Sequence, residues 1–228
     1  MLDRTNIAAL IPAYFEEKRI GDVARRARVQ LDCVLVVDDG STDATADAAR
    51  EAGAEVISHP HNKGKGAAIK TGLAELTVRA SVAHILILDA DGQHLPEEIP
   101  RFLEEANRSG AALLVGTRMS DTRTMPLVRQ LTNRTMSSMI SVLIGQHVPD
   151  TQCGFRMFTR ELALEFMNTA SSNFDFETEM LAIAARCGGK IAAVPVSTVY
   201  GDEKSKIRPV RDTVRFLALM KRLRREMR

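Results

Sequence analysis

The run Ile85-Leu86-Ile87-Leu88 stops abruptly on Asp89-Ala90-Asp91-Gly92-Gln93-His94. Four large apolar residues in a row, with no polar alternate, read as a strand buried on both faces, the pattern of a parallel sheet covered by helices on either side. The two acids then leave the sheet at the strand's carboxyl end, the edge at which open α/β sheets bind ligands. Carboxylates one residue apart repel, and both stay ionised when a cation or a donor sits between them. A hard divalent ion such as Mg²⁺ or Mn²⁺, held by carboxylate, water and phosphate oxygens, suits such a pair. Taken alone, the pair is equally an ordinary acidic strand-to-loop turn.

The same pattern recurs upstream. Ile7 to Pro12 reads as a first buried strand, followed by Tyr14, Glu16 and Glu17 and an Arg/Ala-rich helix to about Val29. Cys33 to Val37 reads as a second strand, ending in Asp38-Asp39-Gly40-Ser41, with an Ala-rich helix running to a Gly53 cap. Glu55 to Ser58 is a short third strand, and Asn62-Lys63-Gly64-Lys65-Gly66 opens a helix that reaches about Val78. After the Asp89 run come a helix begun at Pro96 and a strand from Ala112 to Val115 that ends in Gly116-Thr117-Arg118. Strands and helices alternating at this spacing predict a mostly parallel sheet with helices on both faces.

The second half is less regular. Leu127, Leu131, Met136, Met139, Ile140 and Leu143 fall near helical spacing, and Arg129 and Asn133 lie four apart on another face. Asp150-Thr151-Gln152-Cys153-Gly154-Phe155-Arg156 is turn-rich, and Thr159 can cap a helix through Phe166. Glu177 to Cys187 reads as a helix stopped by Gly188-Gly189, and Lys190 to Val199 as a strand that Pro195 confines to an edge or a bulge.

At 228 residues with 45% hydrophobic and 26% charged content, the chain is long enough for a sizeable core, and nothing argues for disorder. No apolar stretch is long enough for a signal-peptide core or a membrane span. Three cysteines do not pair completely, which suggests free thiols in a reducing compartment. Net charge is only +2, yet Ile207 to Arg228 holds eight Arg or Lys against Asp212 and Glu226. Val210, Val214, Leu217, Met220 and Leu223 share a stripe there, so this helix either lies on an anionic membrane surface or packs on the domain with a solvated basic face. No recognition motif supports nucleic-acid binding.

Ile11-Pro12-Ala13-Tyr14 with Glu16, Val37-Asp38-Asp39-Gly40-Ser41, Asn62 to Gly66, Asp89 to Gln93 and Asp150 to Arg156 occur in the order seen in family 2 glycosyltransferases. From about Ile7 to Lys206 the chain resembles their dolichol-phosphate mannosyltransferase and polyprenyl-phosphate glycosyltransferase branch. The resemblance implies a GT-A fold over residues 1–206, with 207–228 as a basic amphipathic helix. It also implies Mg²⁺ or Mn²⁺, a nucleoside-diphosphate sugar (GDP-mannose or a UDP-hexose) as donor, a polyprenyl phosphate as acceptor, and inversion at the anomeric carbon. The place implied is cytoplasmic, at the inner face of the membrane.

Residue by residue, the resemblance assigns donor contacts to Pro12, Tyr14, Glu16, Val37, Asp39, Lys65, Asp89, Ala90, Asp91, Gln93, Arg118 and Lys206. Metal contacts fall to Asp89, Asp91 and Gln93. Arg118, Arg129, Asn133 and Arg134 face the acceptor phosphate, Asn133 standing where the branch often has Ser. Asp91, Arg118, Arg129 and Asp150 form the catalytic set. A lipid phosphate is already anionic near neutral pH and needs cations rather than a base, whereas a sugar hydroxyl needs a carboxylate. Asp150 therefore either orders the site or, for a hydroxyl acceptor, acts as base. Phe174 to Glu177 and the Glu203 to Lys206 loop also match the branch. Other readings are a haloacid-dehalogenase-like phosphatase using Asp89 and Asp91, against which Gln93 and the preceding strands argue, and a non-catalytic nucleotide-sugar binder.

Overall fold

The computed structural model describes residues 2–119, 122, 125, 127–169, 175–197 and 209–227. Its first half follows the alternation of the sequence: β1 (Ile7–Ala13), α1 (Ile20–Gln30), β2 (Cys33–Asp38), α2 (Thr45–Glu51), β3 (Glu55–Ser58), α3 (Lys65–Thr77) and β4 (His84–Ile87). A short 3-10 turn at Pro96–Glu98 leads into α4 (Ile99–Ser109), and β5 (Leu113–Thr117) follows. The second half supplies α5 (Leu127–Ile144), β6 (Arg156–Thr159), α6 (Arg160–Met167), α7 (Asp175–Arg186), β7 (Ile191–Pro195) and α8 (Pro209–Glu226).

The strands form one sheet in the order β3-β2-β1-β4-β6-β5-β7. All pairs are parallel except those of β6, which runs antiparallel between β4 and β5. β1 is buried at every position, so an uninterrupted apolar run was needed to fill both of its faces. Pro195 lies on β7, the edge strand, where its missing N–H interrupts no inner ladder. Helices α1, α2 and α4 pack together in one layer, and α3, α6 and α7 in another.

Three local features depart from the sequence reading. β6 had no alternating pattern to announce it; its four residues are stapled between two strands that precede it in the chain. Helix α5 turns a polar line inward: Asn133, Ser137, Ile140 and Ile144 are buried while Leu127 and Leu131 are exposed. Among the described side chains of α8, Phe216, Leu219 and Leu223 are buried and Met220 packs against the core, whereas Leu217, a member of the apolar stripe, faces outward. Arg222 of α8 forms an ion pair with the buried Glu179 of α7, which fixes that face against the domain.

Because β1 to β5 run the same way and β6 runs against them, the segments after β1, β2, β3, β4 and β5 and the segment before β6 reach one edge of the sheet. The motifs at Pro12 to Glu16, Asp38 to Ser41, Asn62 to Gly66, Asp89 to Gln93, Gly116 to Arg118 and Asp150 to Arg156 sit in those six segments or beside them.

Candidate active site

The turn after β2 is built around Asp39. Its backbone N–H donates to Ala13 O of β1 (2.8 Å), and its carboxylate accepts from Lys63 N (2.9 Å), Gly64 N (2.8 Å) and the His59 ring (Nδ1, 2.7 Å). His59 is held in turn by Thr71 Oγ1 of α3 (2.9 Å). Gly40 beside it has φ +78°, and a Cβ there would lie 2.5 Å from the His61 carbonyl carbon, so only glycine lets the two loops approach. Asp39, placed at the donor by the sequence, is thus the joint between the β2 and β3 loops.

The β1 turn presents Tyr14 and Phe15 to solvent, their rings edge to face at 4.5 Å. Phe15 has φ +56°, a left-handed conformation that costs a bulky side chain energy and collects at functional sites. It is pinned by Phe15 N–H donating to Ser41 Oγ (3.0 Å) and Glu16 N–H donating to Thr45 Oγ1 (2.9 Å). Pro12, Val37 and Ala90 are buried and shape the floor of this edge from within the strands and the β4 turn.

At the end of β4, Asp89 Oδ1 lies 2.6 Å from Lys65 Nζ, which also bonds Glu177 Oε1 of α7 at 2.7 Å. Burial works against the Lys65 charge, but Asp89 and Glu177 outweigh it and raise its pKa. Burial likewise disfavours ionised Asp89, and the Lys65 ammonium overcomes that and holds the carboxyl below its usual range. The other Asp89 oxygen is crowded by Gly154, where a Cβ would come within 2.7 Å of Oδ2. His94 accepts the Asp89 backbone N–H at Nδ1 (3.2 Å) and stacks on Phe155. Burial pushes the His94 pKa down, and its Nδ1, which accepts the Asp89 N–H, lies 3.8 Å from Asp89 Oδ2. Asp91 Oδ1 accepts Gln93 N–H (2.9 Å), which fixes the turn of the acidic pair.

Asp89, Asp91 and Gln93 offer hard oxygen donors on one short turn, the donor set that suits Mg²⁺ or Mn²⁺. Among the described residues no group of three or more His, Cys, Asp or Glu is placed to hold a metal by itself. A metal here would take its remaining ligands from water and from a phosphorylated ligand.

The third cluster joins β5, α5 and the segment before β6. Arg118 donates to Asp150 through Nε (2.8 Å), Nη2 (2.9 Å) and its backbone N–H (3.1 Å). Asn133 Nδ2 donates to Asp150 Oδ1 (2.8 Å), and Asn133 Oδ1 accepts from Ser137 Oγ (2.9 Å). Gln152 N–H completes the shell (3.2 Å). Burial would raise the Asp150 pKa, but Arg118 more than offsets it and keeps the carboxyl low. Asn133 faces this buried network rather than solvent. Arg129 is half-buried on the same side of α5, one turn earlier, and Arg134 is exposed on the helix flank. Lys206 and the Glu203 to Lys206 loop lie outside the described residues.

Three residues join the site with little warning from the sequence. Glu177 pairs with Lys65 across 112 positions. Arg156, wholly buried, donates to the main-chain carbonyls of Cys153 (2.9 Å), Thr151 (2.8 Å) and Glu177, stapling the Asp150 segment onto α7. His59 has no motif around it. Glu177 and Arg156 each left a trace, as members of stretches that matched the branch.

Residues 8–166 match the family model of glycosyl transferase family 2. The chain is 31% identical over 218 residues to the UDP-N-acetylglucosamine–dolichyl-phosphate N-acetylglucosaminyltransferase of Methanococcus voltae, spanning 85% of this chain and 86% of that relative. It is 34% identical over 217 residues to a dolichyl-phosphate beta-glucosyltransferase of Trichomonas vaginalis, spanning 83% of this chain and 64% of that relative. Glucosyl-3-phosphoglycerate synthase from Mycobacterium tuberculosis, solved in complex with Mn²⁺, uridine-diphosphate and phosphoglyceric acid, superposes with a TM-score of 0.73 over 96% of this chain and 78% of that chain. At 20% identity that likeness is one of fold. The β1, β2 and β4 turns and the Asp150 segment all fall inside the matched span, and the chain belongs to glycosyl transferase family 2 and is a glycosyltransferase.

Proposed function

We propose that this glycosyltransferase moves a hexose, with inversion, from a nucleoside-diphosphate sugar to a polyprenyl phosphate. The observation that carries the acceptor class is the state of Asp150. It is fully buried and accepts five hydrogen bonds, from Arg118 (three), Asn133 and Gln152, so it has neither the exposure nor the basicity of a general base for a sugar hydroxyl. An acceptor phosphate brings its own anionic oxygen, and Arg118 with Arg129 supplies positive charge on that side of the edge. The names of the two relatives, both for dolichyl phosphate, agree with this reading.

In this reading the acceptor phosphate oxygen attacks the anomeric carbon from the face opposite the diphosphate. The bond from that carbon to the diphosphate breaks, and its electron pair leaves with the nucleoside diphosphate. Asp89, Asp91 and Gln93 would hold Mg²⁺ or Mn²⁺, which supplies charge neutralisation at the leaving diphosphate. Tyr14, Glu16 and the β2 turn hold base and ribose. Asn133 is assigned as a positioning residue that holds Asp150, and through it Arg118, in register.

The test is nucleoside-diphosphate release from GDP-mannose, UDP-glucose and UDP-GlcNAc, with Mn²⁺ or EDTA, and with or without undecaprenyl phosphate in detergent. Metal-dependent release from one donor only with the lipid supports the reading, and Asp91→Asn should abolish it without unfolding the protein. Transfer to an added sugar hydroxyl instead would overturn it.

A further inference from the structure

Helix α5 exposes the wrong face for a soluble helix. Leu127 (80%), Val128 (79%), Leu131 (69%) and Val142 (82%) stand in solvent, with Met139 beside them. The two threonines among them return their hydroxyls to the helix, Thr132 to Val128 O (2.8 Å) and Thr135 to Leu131 O (2.9 Å), so the face shows methyl groups between the larger side chains. No Asp or Glu occurs anywhere in α5, and Arg134 flanks the face. Two of its polar residues, Asn133 and Ser137, are turned inward onto Asp150 and Thr151, and Ser138 is the small hydroxyl left among the exposed apolar side chains. A large contiguous apolar surface rimmed by positive charge marks an interaction site rather than scattered exposure.

From this we infer that the outer face of α5 docks on a lipid bilayer surface, seating the helix in the interface plane. The inference rests on the lipid-phosphate reading above and gives it a geometry. The occupant is argued from the absence of acids, which an anionic or zwitterionic headgroup layer favours, and from continuity with the site. The inner face of the same helix holds the Asp150–Arg118 cluster, and a groove of about 600 Å³ runs along its flank past Met119, Arg134, Ser138, Val142 and Val148. No helix among the described residues is long and apolar enough to cross a membrane, so α5 would lie on the surface. The apolar side of α8, the helix whose sequence suggested this task, is instead covered by the domain at Phe216, Leu219 and Leu223.

The experiment is flotation of the full chain with phosphatidylcholine vesicles and with vesicles that also contain phosphatidylglycerol. The variants are L131E/V142E and, as a control at an exposed apolar residue elsewhere, V78E. The wild type and V78E should float, more strongly with the anionic lipid, while L131E/V142E should lose association by roughly tenfold or more. Turnover of a short water-soluble prenyl phosphate should survive in L131E/V142E, with the loss confined to undecaprenyl phosphate presented in vesicles. Equal flotation of L131E/V142E and wild type, or no flotation of the wild type, overturns the inference. So does a wild-type dimer by sedimentation that L131E/V142E dissolves, which would make this face a contact between two copies. No turnover of any prenyl phosphate would overturn the acceptor reading alone, because flotation is measured without a reaction.

Discussion

Arg118 grips Asp150 from two directions, its guanidinium meeting both carboxylate oxygens while its own backbone N–H reaches Oδ2. The pair is out of water, so each charge depends on the other. Asp150→Ala would strand a buried guanidinium, and the expected loss is about 3–5 kcal/mol of stability, read by chemical denaturation. Since Arg118 holds the folded pKa of Asp150 below its unfolded value of about 3.9, this stabilisation is complete above that pH. It should fade as pH falls below it toward the folded pKa. A variant as stable as wild type at pH 7 would contradict the pairing.

Lys65 bridges Asp89 and Glu177, at 2.6 and 2.7 Å. Lys65→Met leaves the two carboxylates with no ammonium between them, and the protein should lose about 2 kcal/mol or more, equivalent to roughly 4–8 °C in Tm for a chain of this size. Added Mn²⁺ should then raise the Tm of the variant more than that of wild type, since a metal ion restores the missing positive charge. Identical metal-induced shifts would show that Lys65 and the metal do not meet at Asp89.

Gly154 admits no side chain beside Asp89. In Gly154→Ala the new Cβ would press on Asp89 Oδ2 from 2.7 Å and turn the carboxylate away. Activity should fall roughly 100-fold, the scale of an ångström-sized misplacement, with a smaller change in Tm. Comparing kcat/KM with thermal stability separates the two effects, and a loss of stability without loss of activity would disprove the prediction.

Phe15 holds a left-handed backbone that glycine adopts freely. Phe15→Gly should therefore keep or raise stability, by up to about 1 kcal/mol, while raising KM for the donor as an exposed ring leaves the β1 turn. If the variant is destabilised and its donor KM is unchanged, the ring is there for packing.

Much of the fold was legible because local rules and global architecture agree. Uninterrupted apolar runs pointed to β1, β2 and β4, the last two stopping on acids, Thr159 does accept Leu162 N–H as a helix cap, and Pro195 does sit on an edge strand. The turns of the donor side could be read because each is a short contiguous motif at a strand end. What escaped was set by contacts distant in sequence. The inward face of α5 is polar because Asp150 needs Asn133 and Ser137, a demand that no helical periodicity records. Glu177 and Arg156 enter the site through partners outside their own segments, and His59 through a carboxylate 20 positions away.

The position of β6 also has a history within the life of each molecule. On a ribosome, β1 to β4 emerge first and can pair at once, leaving β4 as an open edge. That edge stays unpaired until residue 156 and its neighbours arrive, some 70 positions later, and β5 meanwhile has no partner in the growing sheet. An unpaired strand of large apolar residues is a template for other chains. The nascent protein thus passes through a stage at which its most reactive surface for aggregation is the strand that will carry Asp89, and the late insertion of four residues ends that exposure.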